Sequence, residues 1–147
     1  MSSPVYTETF LEYAKNPPNK GILEGPTVRY FEENRNCGDA LEVFLKLDES
    51  GVIEDFSFEG HTAIVTTACT SIFGESIIGM NIEDILIMDE KTIREIIGFQ
   101  VSSRRKQASV LGLLATRNAI HTYRKDGRVD DFSDVLILSS PHRILTN

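Results

Sequence analysis

The chain has 147 residues, of which 41% are apolar, so it is long enough for one domain with a substantial core and too short to favour two. Its formal charge of -7 and pI near 4.9 argue against a protein that binds nucleic acid or an anionic membrane, because phosphate attracts basic surfaces. No apolar run approaches the ~20 residues that span a bilayer, and MSSPVYTETF lacks the features of a secretion signal, so we expect a cytoplasmic protein.

The first half of the chain carries one predicted helix and three predicted strands. Aromatic residues at helical spacing favour a helix over residues 5–15, which ends at the turn-forming NPPNKGILEGP. Alternating or β-branched apolar residues then predict three strands, with DESG as the turn between the last two: TVRYFEEN, ALEVFLKLD and VIEDFSF. Three successive strands predict a three-stranded antiparallel meander with one covered face.

The second half changes to helical periodicity. Helices are predicted over EDILIM, EKTIREIIG and RRKQASVLGLLATRNAIHTYRK, the last with an apolar stripe through Ala108, Leu111, Ala115 and Ala119. TAIVTTACTSIF fits a strand by its β-branched content and a helix by its apolar stripe, and we favour a helix because no turn signal interrupts the chain before Gly79. Strands followed by helices predict an α+β fold.

The C-terminal stretch follows the last predicted helix and fits two arrangements. We place a single domain in residues 1–126 and a tail in residues 127–147, which contains DVLILSS and a proline. The composition of this tail fits a segment packed on the domain as well as one that frays from it.

Four segments occur in an order that resembles a known family: NPPNKGILEGP, NCGDALEVFLKLDESGVIEDFSFEG, ESIIGMNIEDI and ASVLGLLATRNAIHTY. In this order they resemble the iron–sulfur cluster assembly scaffolds IscU, SufU and the N-terminal domain of NifU, over residues 10–124. The most specific pieces are the Asn-Pro-x-Asn-x-Gly turn at 16–21 and Cys-Gly-Asp at 37–39. The resemblance implies a three-stranded sheet packed on helices.

The resemblance also implies a metal-binding end of the molecule. In that family three cysteines and an aspartate hold a 2Fe–2S cluster during assembly, or zinc in some members, and receive sulfur from a cysteine desulfurase before the cluster passes to acceptor proteins. Thiolates are the soft ligands that iron–sulfur units and zinc prefer, and a carboxylate can complete the shell. Cys37 and Asp39 match this motif, so we predict that they bind a 2Fe–2S cluster, iron or zinc.

The chain departs from the family at the other ligand positions. Counting back from Gly79 places Ala63 at the second cysteine, and the ungapped last helix places Ala108 at the third. Gln107 stands where many members have histidine, and FQVSSRRKQ replaces the Leu-Pro-Pro chaperone-recognition stretch of the IscU branch. One of the three thiolates therefore remains.

Two other side chains are candidates for the missing ligands. Cys69 lies six positions beyond Ala63, about 120° out of phase and roughly 9 Å along a helix, so we interpret it as a small buried hydrophobe. His61 precedes Ala63 at the mouth of the hairpin, where it would join Cys37 and Asp39 in a zinc or iron site with water as the fourth ligand. The alternative is an exposed loop histidine hydrogen-bonded to the backbone.

Other interpretations stand beside these. Gly38 suits a tight turn in which Asp39 merely caps the entry to a strand. The basic run at residues 104–106 would lower the pKa of a nearby thiol or bind an acidic partner, because cations stabilise thiolate; the alternative is a solvated start to the last helix.

Three functions fit these residues. The first is a scaffold, not an enzyme, that binds its cluster or metal at Cys37 and Asp39, with further ligands from His61, a small thiol or a second chain, since a symmetric dimer would supply four. The second is a metal-free paralogue that keeps a surface for the cysteine desulfurase or another assembly component. The third is an enzyme with Cys37 as nucleophile, for which no oxyanion hole is recognisable. We expect the first.

Overall fold

The computed structural model describes residues 6–137. The strands are β1 (Val28–Asn34), β2 (Asp39–Leu47) and β3 (Ile53–His61). The helices are α1 (Glu8–Lys15), α2 (Ile64–Ser76), α3 (Ile82–Ile85), α4 (Glu90–Ile97), α5 (Lys106–Arg124) and α6 (Phe132–Val135), with a 3-10 turn at Ser103–Arg105. The predicted α+β order is confirmed, and TAIVTTACTSIF is helical. Across the described residues, none of the helices combines the length and the apolar character that a bilayer crossing requires.

The three strands form one antiparallel sheet in the order β1, β2, β3. Val43 of β2 lies opposite Tyr30 of β1 and Phe58 of β3, which brings the inward-facing side chains of the three strands into line. Leu41, Val43 and Leu45 are fully buried on this face. The predicted meander is confirmed, and its covered face follows from the period-2 alternation of β2.

Helix α5 lies across the inner face of the sheet and against α2. Every residue of α5 from Ala108 to His121 is buried, which includes the predicted apolar stripe. Gly112 allows the close approach of α2, since a Cβ at this position would lie 2.7 Å from Thr70 Oγ1. Helix α5 is therefore the centre of the hydrophobic core rather than a surface helix.

The turn between α1 and β1 is fixed to the core by Asn19. Its side-chain amide donates to the Ser71 carbonyl at 3.0 Å, and the Ser71 hydroxyl donates to Asn19 Oδ1 at 2.6 Å. Phe58 N–H donates to the Asn19 carbonyl at 3.1 Å, and Gly21 N–H donates to the Phe58 carbonyl at 2.8 Å. The Asn-Pro-Pro-Asn turn thus joins β3 to α2, which accounts for the second asparagine of the motif.

Helix α1 packs on α2 through a second apolar cluster. Phe10 is 2% exposed, and its ring lies 5.2 Å from Tyr6 and 4.9 Å from Phe99 between centroids. Cys69 of α2 belongs to the same cluster and is fully buried, and this burial raises the pKa of its thiol to about 12. The prediction that Cys69 is a small buried hydrophobe is confirmed.

Residues 127–137 of the predicted tail lie against α5. Asp130 is 5% exposed, and its Oδ2 accepts from Arg117 Nε at 2.9 Å and lies 2.9 Å from His121 Nε2. Val135 of α6 is fully buried in the main core. The packed structure therefore continues past residue 126. The remainder of the predicted tail, including the end of DVLILSS, lies outside the described residues.

Candidate functional site

The Cys37 thiol projects from the turn that joins β1 to β2. The carbonyl of Asn34 accepts the N–H groups of Cys37 at 3.3 Å and Gly38 at 2.9 Å. Gly38 has φ 79°, a left-handed conformation that glycine adopts without strain. This tight turn leaves Cys37 exposed directly before the buried Asp39.

Asp39, the first residue of β2, is 4% exposed, and its carboxylate accepts from three donors. The Cys37 thiol donates to Oδ2 at 3.1 Å, the Thr66 hydroxyl donates to the same oxygen, and Ala63 N–H donates to Oδ1 at 2.8 Å. Ala63 is the N-cap residue of α2 and has no side chain that could cap the helix, so Asp39 of β2 accepts the hydrogen bond from Ala63 N–H instead. The structure thus places the Cys37 thiol beside the Asp39 carboxylate.

The protonation of Cys37 depends on the surroundings of the thiol and on two neighbours, Asp39 and Arg105. Partial desolvation raises the pKa of Cys37, the hydrogen bond to the Asp39 side chain raises it further, and the charge of Arg105 acts in the opposite direction. The result is a pKa above the usual thiol value. Because only the thiolate is a good metal ligand or nucleophile, Cys37 must lose a proton before it can bind a metal.

The positions that the resemblance assigns to the other two cysteines lie beside the same turn. Ala63 contacts Asp39 through the hydrogen bond just described, and Gln107, the neighbour of Ala108, accepts from Asn36 Nδ2 at 3.0 Å. Both alanines present only a methyl group. Within the part of the chain that the structure describes, residues 6–137, the metal-binding donors at the turn are therefore one thiol and one carboxylate.

A match to a protein family covers all of these site elements. The family model of the NifU-like N terminal domain matches residues 5–129, which is most of the chain. The chain belongs to the NifU-like N-terminal domain family. The resemblance that the Cys-Gly-Asp and Asn-Pro-x-Asn-x-Gly motifs carry is confirmed.

Curated relatives of this NifU-like domain carry three kinds of name. "Iron-sulfur cluster assembly scaffold protein IscU" of Thermotoga maritima is 36% identical over 87 residues, 59% of this chain and 61% of that protein. "Zinc-dependent sulfurtransferase SufU" of Bacillus subtilis is 34% identical over 86 residues, 58% of this chain and 57% of that protein. "Nitrogen fixation protein NifU" of Azotobacter chroococcum is 29% identical over 92% of this chain and 44% of that protein. The matched part is less than two thirds of each of these relatives.

Solved structures show the same fold. A NifU-like N-terminal protein from Brucella abortus superposes with a TM-score of 0.67 at 19% identity, over 82% of this chain and 95% of that chain. A protein from Fervidobacterium islandicum, described as a putative scaffold for the SUF system, gives a TM-score of 0.64 at 23% identity, over 78% of this chain and 96% of that chain. At these identities the likeness establishes the three-stranded sheet with its helices.

His61 ends β3 of the NifU-like domain, opposite Ala40 of β2, with its side chain exposed. Among residues 6–137, no group of three or more His, Cys, Asp or Glu side chains is placed to hold a metal ion. The structure therefore joins Cys37 to Asp39 without adding His61 to the pair. A ligand role for His61 stays a prediction that this geometry does not support.

The basic run before α5 lies next to the Cys37 turn. Arg105 is close enough to favour the Cys37 thiolate, and Lys106 lies 3.6 Å from the buried carboxylate of Glu90. A cavity of about 460 Å³ beside the turn is lined by Asn36, Ser103, Arg104, Lys106, Gln107, Leu136 and Ile137. The run is therefore part of the surroundings of the site and not only a solvated helix start.

Thr66 and Asn36 belong to the site although neither was expected there from the sequence. Thr66 is fully buried in the first turn of α2 and donates to Asp39, and Asn36 links the Cys37 turn to α5 through Gln107. The available signal for Thr66 is a hydroxyl in the first turn of a helix that has no capping side chain of its own. No such signal exists for Asn36, whose partner lies 71 positions away.

Proposed function

We propose that this chain takes part in iron–sulfur cluster assembly as a scaffold-like protein that carries iron, zinc or a 2Fe–2S unit as cargo at Cys37 and Asp39. The observation that supports this most directly is the 3.1 Å contact between Cys37 Sγ and Asp39 Oδ2, in the turn that carries the family motif. The name of the IscU relative supports the same assignment. Its partners are then a cysteine desulfurase as the sulfur source and proteins that accept the cargo.

The described residues of one chain offer too few donors at the Cys37 turn to complete the coordination of a cluster. A 2Fe–2S cluster takes four protein ligands, whereas Cys37 and Asp39 supply two, and the alanines at 63 and 108 supply none. The remaining donors come from outside the turn, from a small thiol, a partner protein or a second copy facing the first. Cargo held by two donors of this chain is easily passed on, which suits a carrier rather than an enzyme.

Anaerobic reconstitution with ferrous iron and sulfide is expected to give a brown protein with visible charge-transfer absorption, and Cys37→Ser is expected to abolish the colour. Serine keeps the size of the side chain and a donor for Asp39 but lacks the soft sulfur that iron prefers. The measurements are the absorption spectrum and the iron content after desalting. Cys69→Ala is the matched control and should keep the colour, because that thiol is fully buried in an apolar cluster.

A colourless wild-type protein under these conditions would contradict the cargo proposal. Colour that persists in Cys37→Ser would place the cargo at some other group of the chain. Each result is read together with the far-UV circular dichroism of the same sample, so that a misfolded variant is not taken for one that has lost a ligand.

Zinc binding at Cys37 is expected to weaken as the pH falls, about tenfold for each pH unit, because one proton must leave the thiol for each metal bound. The affinity falls toward low pH because the raised pKa of Cys37 keeps the thiol protonated at neutral pH, so that zinc must displace its proton. Competition with a chromophoric chelator between about pH 6 and about pH 8 measures the slope. Cys37→Ser should lose this slope, and an affinity that does not change with pH in the wild-type protein would contradict a thiolate ligand.

A metal-free binding module is the second candidate function. It is favoured by the use of Asp39, whose two carboxylate oxygens already accept from Cys37, Thr66 and Ala63. A carboxylate engaged in this way holds β2 to α2 and has little capacity left for a metal. In this role the chain would keep a surface for the cysteine desulfurase or another assembly component and act as a regulator.

Co-purification with a cysteine desulfurase separates the two candidates. Undiminished binding of the desulfurase by a protein that takes up neither iron nor zinc supports the module. Iron uptake that depends on Cys37 supports the carrier, whether or not the desulfurase is retained.

A further inference from the structure

Strand β1 forms one edge of the sheet. Within residues 6–137 no strand pairs with the outer side of β1. An unpaired edge presents a row of N–H and C=O groups to which another strand can add. Arg29, Phe31 and Glu33 alternate along the face of β1 that points away from the helices, and all three are exposed. At the centre of this exposed face, Phe31 is 56% exposed.

The residues of β1 complement themselves in an antiparallel register centred on Phe31. In this register Arg29 lies opposite Glu33 of a second copy, and Phe31 lies opposite Phe31 of that copy. Arg29 also donates Nε and Nη2 to Glu42 of β2 at 2.7 and 3.1 Å, so the pairing with Glu33 would use its other terminal nitrogen, Nη1. On the inner face, Tyr30 lies opposite Glu32 of the second copy. Directly opposed side chains in antiparallel strands share a face, with Cβ atoms about 4.5–5.5 Å apart, and opposite charges or aromatic pairs at this spacing are stabilising.

Neighbouring registers lack this complementarity. A register centred on Glu32 would oppose Arg29 to Arg35 and Glu32 to itself, which places like charges together twice over. A register centred on Tyr30 would oppose Val28 to Glu32 and leave both ion pairs unmade. Side chains of opposed residues must share a face, so intermediate registers do not occur.

We propose that two copies of this chain pair through β1 and form a symmetric dimer with one continuous six-stranded sheet. The charge order along the strand, a cation two residues before Phe31 and an anion two residues after it, matches an identical strand running in the opposite direction. Such a contact uses the same patch on both copies, as a two-fold interface requires. Two seven-residue strands bury little area for an interface, so the dimer dissociates on dilution.

This dimer does not share a metal site between its copies. Each Cys37 turn follows the end of β1, and antiparallel pairing sends the two ends in opposite directions. Cys37 lies six positions after Phe31, so the two thiols lie at opposite ends of the paired strands. The dimer therefore presents two separate Cys37 turns to partners. Its formation does not depend on metal binding at either turn.

Disulfide trapping tests the register. In a Cys37→Ser background, Phe31→Cys is expected to form a covalent dimer on mild oxidation with diamide, because opposed residues at the two-fold axis lie within disulfide reach. Glu33→Cys in the same background is the matched control: its two positions lie four residues apart along the strands, about 13 Å, so its dimer yield should be at least about tenfold lower. No crosslink at Phe31→Cys, or equal crosslinking at both positions, would overturn the proposal.

Sedimentation equilibrium of the full chain tests the contact without engineered thiols. The wild-type protein is expected to show a concentration-dependent dimer, and Glu33→Arg is expected to raise its dissociation constant about tenfold, because Arg29 then faces a like charge in both symmetric pairs. Glu59→Arg on β3 is the matched control and should leave the dissociation constant unchanged. A wild-type protein that stays monomeric up to millimolar concentration, or an equal response to both substitutions, would overturn the proposal.

Discussion

Replacing Asp130 by alanine is expected to lower the free energy of unfolding by about 3–5 kcal/mol, because it removes the acceptor of two buried donors. Asp130 is 5% exposed, and its Oδ2 bonds Arg117 Nε and His121 Nε2, both at 2.9 Å. Arg117 and His121 are themselves 7% and 3% exposed, so water cannot replace the lost carboxylate. An uncompensated buried cation costs far more than a broken surface ion pair.

Urea denaturation at neutral pH measures this loss, with an unchanged m-value as the sign that both proteins unfold from a comparable native state. Asp126→Ala is the matched control, since Asp126 bonds the other ring nitrogen of His121 at 2.7 Å but lies at the surface. Its removal should cost about 1 kcal/mol or less. An equal cost for the two substitutions would show that Asp130 is not the buried anchor of residues 127–137.

The sequence did not reveal this anchor for a physical reason. Arg117 and His121 stand one helical turn apart on the buried part of α5, and buried polar side chains need hydrogen-bond partners. Several acidic residues follow within ten positions of His121, and nothing in their spacing selects Asp130 over Asp126 or Asp131. Which of these aspartates reaches Arg117 and His121 depends on how the chain turns after α5, and that path is set by tertiary packing.

The sheet and the long helices could be predicted from the periodicity of apolar residues alone. The alternation in ALEVFLKLD predicted β2, found at Asp39–Leu47, because a strand with one covered face must alternate. The turn DESG closes as expected, with Asp48 Oδ1 accepting from Ser50 N–H at 2.8 Å and Val52 N–H at 2.9 Å. Strand β3 runs to His61, past the end of the predicted VIEDFSF. It is longer because pairing with β2 continues through Gly60, where the residues of β3 no longer alternate between apolar and polar.

One part of the candidate site, the contact between Cys37 and Asp39, could also be predicted from the sequence. The contact between Cys37 and Asp39 is local, since two residues that flank a glycine turn stay close in most conformations of that turn. The bonds from Ala63 and Thr66 to Asp39 join residues 24 and 27 positions apart and depend on the tertiary fold. They change the interpretation of Asp39, from a free metal ligand to a carboxylate that also supports the start of α2.

Gly60→Ala is expected to lower the free energy of unfolding by about 3 kcal/mol, the upper end of the usual cost of overpacking. Gly60 has φ 145°, and a Cβ there would overlap the Ala40 carbonyl oxygen and lie 2.7 Å from Leu41 Cα. These are backbone atoms of β2, which cannot turn aside as the end of a flexible side chain can. The strand must shift at the residue next to Asp39, so we also expect the folded variant to take up less iron or zinc than wild type.

Gly79→Ala separates this clash from the general cost of a left-handed residue. Gly79 has φ 89°, and no described atom lies within 4 Å of the place that an added methyl group would occupy. Alanine there meets backbone strain alone and should cost about 1–2 kcal/mol. Urea denaturation of both variants and zinc titration of their folded fractions give the two readouts. If both substitutions cost the same and leave zinc uptake intact, the contact between β3 and the start of β2 does not position Asp39, and the pairing of thiol and carboxylate depends on the Cys37 turn alone.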